Sequence, residues 1–158
     1  MADARMTALR GLSEVFGQGG YSNLVLERLM RNTELSGQER AFCTALFYGV
    51  VERRITLDWV LGRYFQPVEK LSPAVRDILR MAVYQLLYMP SVPESAAVNE
   101  AVKETRQMKV ASAAGYVNGV LRSFLRDGKK LALPRDPLAA LSVQYSVPQA
   151  LISLWQRS

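Results

Sequence analysis

The apolar residues of this chain recur at helical spacing from one end to the other, and no segment sustains the two-residue alternation of a strand between hairpin turns. The pattern predicts an all-α fold. The first helix is expected to open at Asp3, to carry Ala8, Leu9, Leu12, Val15 and Phe16 on one stripe, and to stop at Gly17, Gly19 and Gly20. Ser22 is expected to cap a short second helix ending near Met30. Ser36 and Glu39 have capping-box spacing ahead of a helix with Cys43, Leu46, Phe47 and Val50 inward. Thr56 is expected to cap a separate helix bearing Leu57, Val60, Leu61, Tyr64 and Phe65 and ending before Pro67. Ser72 and Pro73 start the most apolar helix, over 72–87. A proline-bounded turn at 89–93 leads into a helix of small residues (Ala97, Val98, Ala101, Val102), and a last helix with Val117, Val120, Leu121 and Phe124 inward is terminated by Gly128. About seven helices, in one bundle or two packed sub-bundles, thus account for residues 1–128.

After Gly128 the stretch KKLALPRDP has the proline and charge content of a linker, and two short apolar pieces follow at 138–145 and 151–155. Residues 129–158 therefore read as a linker and the start of a joining segment. Leu151, Leu154 and Trp155 form an apolar stripe with no later sequence to cover it; of the two explanations, folding back on the bundle or a chain that has been cut, the second is preferred.

Composition narrows the chemistry. With 158 residues, 49% of them apolar, the chain can bury a core as one domain without disulfides. Cys43 has no partner for a bridge, and the absence of histidine removes the usual zinc ligand and the usual general base. Nothing resembles a secretory leader or a membrane span, so a cytosolic location without membrane association is expected. Gly17, Gly19 and Gly20 follow a helix rather than a strand and read as a helix stop, not a phosphate loop. Glu100 and Glu104 are one turn apart and read as surface charges paired with Lys103 or Arg106 rather than metal ligands. Arg76 and Arg80, beside Asp77, read as solvated.

Twenty basic against fourteen acidic residues give a net charge of +6, and fifteen of the twenty are arginine, which favours forked contacts to phosphate or carboxylate. The excess is local: between 103 and 130, Lys103, Arg106, Lys109, Arg122, Arg126, Lys129 and Lys130 face only Glu104 and Asp127. Arg122, Arg126 and Lys129 share one helix face and can track successive phosphates. Cations also suit the last turn of a helix, which alone would account for two or three of them. Arg5 and Arg10, near a helix start, make a second patch. Tyr21 and Tyr116, if exposed, can stack on unpaired bases.

Three stretches, RMTALRGL at 5–12, VPESAAVNEAV at 92–102 and GYVNGVLR at 115–122, supported by LFYGV at 46–50 and YQLLY at 84–88, resemble the NusB-like domain. NEAV followed by VNGVLR is similar to the version fused in front of bacterial small-subunit ribosomal RNA cytosine-5 methyltransferases of the RsmB (Sun, Fmu) type. The tail LSVQYSVPQALISLW resembles that family's joining segment through Tyr145, Ser146, Pro148 and Leu151, departing from it at Val147 and Ala150. The resemblance implies a chain without catalytic residues, metal or cofactor of its own. It would grip ribosomal RNA, not DNA, for a C-terminal catalytic domain that uses S-adenosylmethionine and a cysteine nucleophile, and that domain is a further expected partner. It also implies RNA contacts at Arg5 and around Asn118 and Arg122. For Asn99 and Glu100 two readings stand, RNA contacts or polar anchors tying the proline turn to a neighbouring helix, and the anchor role is preferred. The full candidate set is Arg5, Arg10, Lys103, Arg106, Asn118, Arg122, Arg126, Lys129 and Lys130. Two other functions compete: a free-standing antitermination or ribosome-assembly factor, which predicts a chain ending near Gly128, and a helical protein-interaction module whose basic face meets an acidic protein.

Overall fold

The computed structural model describes residues 3–157, apart from the side chain of Glu69, and the described residues form helices joined by turns and loops, with no strand among them. The helices are α1 (Ala4–Gln18), α2 (Ser22–Arg31), α3 (Gly37–Leu61), α4 (Pro73–Tyr88), α5 (Glu94–Gln107), α6 (Ala114–Arg126), α7 (Pro137–Tyr145) and α8 (Gln149–Arg157). Helix α3 packs against α1 on one side and α4 on the other. Helix α2 covers α1 and α3, the α5–α6 pair covers α4, α7 docks on α3, and α8 docks on α7. No helix among the described residues is long and apolar enough to cross a membrane.

Local chemistry sets most of the boundaries. Asp3 caps α1 by accepting from the Arg5 amide, and α1 ends with Gly19 in the left-handed region at φ 70°. Ser36 and Glu39 close a reciprocal capping box on α3, and Ser72 caps α4 with Pro73 at its first position. Helix α6 ends at Asp127, after which Gly128 at φ 81° lets the Lys129 amide reach back to the Phe124 carbonyl. Ser22 is not a cap: the residue ahead of α2 is Tyr21, which makes no side-chain capping bond.

The largest departure from the sequence reading is α3, which runs unbroken for 25 residues through the position expected to start a new helix. The stretch VERRIT at 51–56 contains no glycine or proline, so nothing in the backbone stops propagation. Thr56 is fully buried in the middle of this helix, and its hydroxyl donates to the Val143 carbonyl of α7. Ser146 Oγ accepts from the Ile55 amide at 3.2 Å, and Arg53 donates to the Gln144 carbonyl at 3.2 Å. The stretch with linker composition also lies against this region: Trp59 Nε1 donates to the Leu131 carbonyl at 2.9 Å, and Arg63 donates to the Lys130 carbonyl at 2.6 Å.

The core is continuous from Leu9 and Leu12 of α1 through Cys43, Leu46 and Phe47 of α3 and Ile78, Leu79 and Met81 of α4 to Leu121 and Phe124 of α6. Each such side chain removed from water stabilises the fold by about 1.5–3 kcal/mol. Helices α3 and α4 approach so closely that a Cβ placed on Gly49 would stand 2.1 Å from the Tyr84 ring. Gly49→Ala is accordingly expected to cost about 1–3 kcal/mol, because the ring must move away from α3 and disturb its packing on Tyr88, 5.2 Å away between centroids. Thermal unfolding of the variant measures this, and an unchanged midpoint would show that the ring moves freely.

Candidate nucleic-acid interface

Helix α6 is amphipathic in a simple way. Val117, Val120, Leu121 and Phe124 are buried, leaving Gly115, Asn118, Gly119, Arg122 and Arg126 on the outer side. Asn118, Arg122 and Arg126 follow one another at four-residue steps, about 6 Å apart along the axis. With Tyr64, Tyr116 and Gly119 they line a groove of about 440 Å³. Arg122 donates from Nε to Asn118 Oδ1 at 3.2 Å, and Arg126 donates to Ser123 Oγ at 2.9 Å. Neither guanidinium pairs with a carboxylate among the described residues, so both keep their charge uncompensated and most of their donors available.

Aromatic groups flank the cations. Tyr116 is 38% exposed and meets Phe65 edge-on at 6.3 Å, which fixes its ring while leaving part of it open. Tyr64 donates its hydroxyl to Asp127 at 2.6 Å; burial first, then that carboxylate, raises its pKa, so it stays a neutral donor. At Gly119 a Cβ would meet no heavy atom within 4 Å, so the helix backbone itself is open to a ligand there. Two guanidinium groups outside any ion pair and a partly exposed ring can hold phosphates and stack one base.

The other candidates are not gathered at this groove. Lys129 bonds to Glu94 at 2.8 Å, tying the end of α6 to the start of α5, and Lys130 is exposed. Lys103 pairs with Glu100 at 3.4 Å on the surface, and Arg106 is exposed on α5. Arg10 is exposed on α1. Arg5 is half-buried, donating from Nε to Gln85 Oε1 at 2.8 Å and lying over the Phe42 ring at 5.1 Å. Its first role is to join α1 to α3 and α4. Asn99 is exposed, with no side-chain hydrogen bond among the described residues, and the buried polar side chain that ties α1 to α4 is Gln85.

Two expectations about charged residues are overturned. Glu104 is not a surface charge: it is 1% exposed, Oε2 has no hydrogen-bond partner, and burial pushes its carboxyl up to about 8 against the opposing effect of Arg5. Arg80 is not solvated: it is 4% exposed and bonds to Asp58 through Nε at 2.7 Å and Nη2 at 2.8 Å, and to Asp77 through Nη1 at 3.1 Å. Tyr64 was missed as a groove residue because it was assigned to the inner face of a helix that ends before it. Tyr21 is 78% exposed at the start of α2, beside Leu24, 57% exposed.

The sequence pattern of the NusB family matches residues 2–126, and the chain belongs to that family. It is 35% identical over 152 residues to the Bacillus subtilis (strain 168) protein named "Probable ribosomal RNA small subunit methyltransferase B", a match covering 96% of this chain and 34% of that one. It is 37% identical over 109 residues to the Frankia casuarinae "Transcription antitermination protein NusB", covering 68% of this chain and 80% of that one. The chain therefore spans about a third of the length of the methyltransferase relatives it matches. Among solved structures, NusB in the crystal structure of antitermination factors NusB and NusE in complex with dsRNA superposes with a TM-score of 0.73 at 19% identity, over 78% of this chain and 94% of that one, which shows the same fold.

Proposed function

We propose that this chain grips ribosomal RNA through the α6 groove and presents it to an S-adenosylmethionine-dependent cytosine-5 methyltransferase domain of the same protein. The observation that carries this reading is the groove itself, in which Arg122, Arg126, Asn118 and a partly open Tyr116 stand together and neither guanidinium is in an ion pair among the described residues. Phosphate contacts of this kind position a strand without reading its sequence, and a base must be unstacked before an enzyme can act on it. The methyltransferase assignment is supported by the match to the Bacillus subtilis relative, which takes in 96% of this chain and so extends past residues 2–126. Methyl transfer, its cofactor and its nucleophile belong to the other domain.

A free-standing antitermination factor is the second reading, favoured by coverage of 80% of the Frankia relative. The two differ in selectivity. The first expects similar affinity for unpaired strands of different sequence; the second expects a strong preference for one signal.

Binding to single-stranded RNA as a function of salt tests the groove. About four phosphate contacts give a log–log slope near −3, and Arg122→Glu with Arg126→Glu is expected to reduce its magnitude by about 1.4 and to weaken binding about 30-fold at low salt, with helical circular dichroism unchanged. Unaltered affinity in the folded double variant would place the RNA elsewhere, and a flat salt response in the parent chain would favour a protein partner.

A further inference from the structure

A second charged cleft, of about 340 Å³, shares no lining residue with the α6 groove; it is walled by Val15 and Phe16 of α1, Arg54 and Asp58 of α3, and Arg76 and Arg80 of α4. With Asp77 just behind, three guanidinium groups meet two carboxylates. Both carboxylates are already engaged. Asp58 accepts twice from Arg80 and once from Arg54 at 3.3 Å, and Asp77 accepts from Arg80 and from Ser13 Oγ at 3.4 Å. Arg76 is left over. Its side chain is 16% exposed, its Nε is buried without a hydrogen-bond partner, and the Asp77 oxygen near it stands at 3.8 Å, beyond hydrogen-bond reach. A buried charged donor with no acceptor is costly, and a bound anion removes that cost.

We propose that this cleft binds a phosphate group, held by the guanidinium of Arg76 from one side and that of Arg54 from the other. Arg80 takes no direct part because its donors are committed to Asp58 and Asp77. Three guanidinium groups against two carboxylates leave the cleft one net positive charge, and Phe16, over which Arg80 lies at 4.6 Å, closes the apolar wall. A tetrahedral oxoanion can take one guanidinium fork along an edge and a second donor on another oxygen, which suits two arginines from different helices. The phosphate group comes either from a nucleic-acid backbone or from free phosphate, and the site does not depend on RNA binding at α6.

The experiment follows arginine Nε–H resonances of the ¹⁵N-labelled chain in chloride buffer, titrated first with inorganic phosphate and then with a short single-stranded RNA. The Arg76 resonance is expected to shift and saturate at phosphate concentrations on the order of millimolar. Arg54→Gln is expected to weaken that isotherm at least fivefold and Arg76→Gln to weaken binding, read at Arg54, at least tenfold, while Arg122→Glu with Arg126→Glu leaves the phosphate response unchanged. Saturation by RNA at the same resonance assigns the group to a nucleic-acid backbone; saturation by inorganic phosphate alone assigns it to free phosphate. Linear, unsaturated drift up to about 50 mM phosphate would overturn the proposal, as would a saturable response that survives in the Arg54→Gln variant at full affinity. Arg54 is exposed at the cleft edge, so its variant reads binding even where Arg76→Gln perturbs folding.

Discussion

Arg80→Ala is expected to destabilise the fold by about 3–5 kcal/mol, the usual result of removing one partner from a buried ion pair. Arg80 links three helices: it holds Asp58 of α3 and Asp77 of α4 and lies over Phe16 of α1. Without it Asp77, which is 0% exposed, keeps only Ser13 and the distant Arg76. Burial already raises the Asp77 pKa, and Arg80 is the chief group opposing that rise, so its loss pushes the carboxyl further up. A folded pKa above the unfolded value means stability present below the unfolded pKa and lost as pH climbs. The deficit of the alanine variant should therefore widen from about pH 4 upward and narrow in acid. Urea unfolding at several pH values measures both effects. Arg80→Met combined with Asp77→Asn removes the orphaned charge and should recover at least half of the loss. A deficit under about 1 kcal/mol in Arg80→Ala would mean that the ion network is ornamental to stability.

What could be read from the chain alone was local, and what could not was set by distant partners. Asp3, the Ser36–Glu39 box, Ser72–Pro73 and Gly128 act on amides within a few residues, so their roles are written in their spacing. Thr56 has the composition of a cap but serves as a buried donor to α7, 87 residues away in sequence. The resemblance implies an RNA contact at Arg5, and the structure adds a tie the spacing does not show: its hydrogen-bond partner, Gln85, lies 80 residues on. A signal was available there. Gln85 falls on the apolar stripe of α4 between Met81, Ala82 and Leu86, and a polar group at such a position needs a partner. The basic face of α6 was legible because Arg122 and Arg126 sit at helical spacing on an exposed stripe. That Lys129 is paired with Glu94, and that Tyr64 joins the groove, depended on where α3 and α6 end and where α5 begins.

Glu104 gives the second large effect, and its sign is opposite to that of an ordinary paired carboxylate. Desolvation raises its pKa to about 8; Arg5 opposes this, and Asp3 and Glu100 reinforce it. The unfolded chain ionises this residue near 4.5. Its contribution to stability is therefore fully present below about pH 4.5, declines as pH rises to about 8, and is flat above that, a loss on the order of 5 kcal/mol. Glu104→Gln preserves the shape without the titration. The parent chain should thus lose stability relative to this variant steadily from pH 5 to 8 in urea unfolding, and parallel stability curves would show that the carboxylate is accommodated in charged form. Removing a neighbouring negative charge, as in Glu100→Gln, should draw the upper end of the window below pH 8, whereas Arg5→Gln should extend it above. While Glu104 stays protonated at neutral pH it does not offset the charge of Arg5, whose surroundings then carry one negative charge fewer than the sequence suggests.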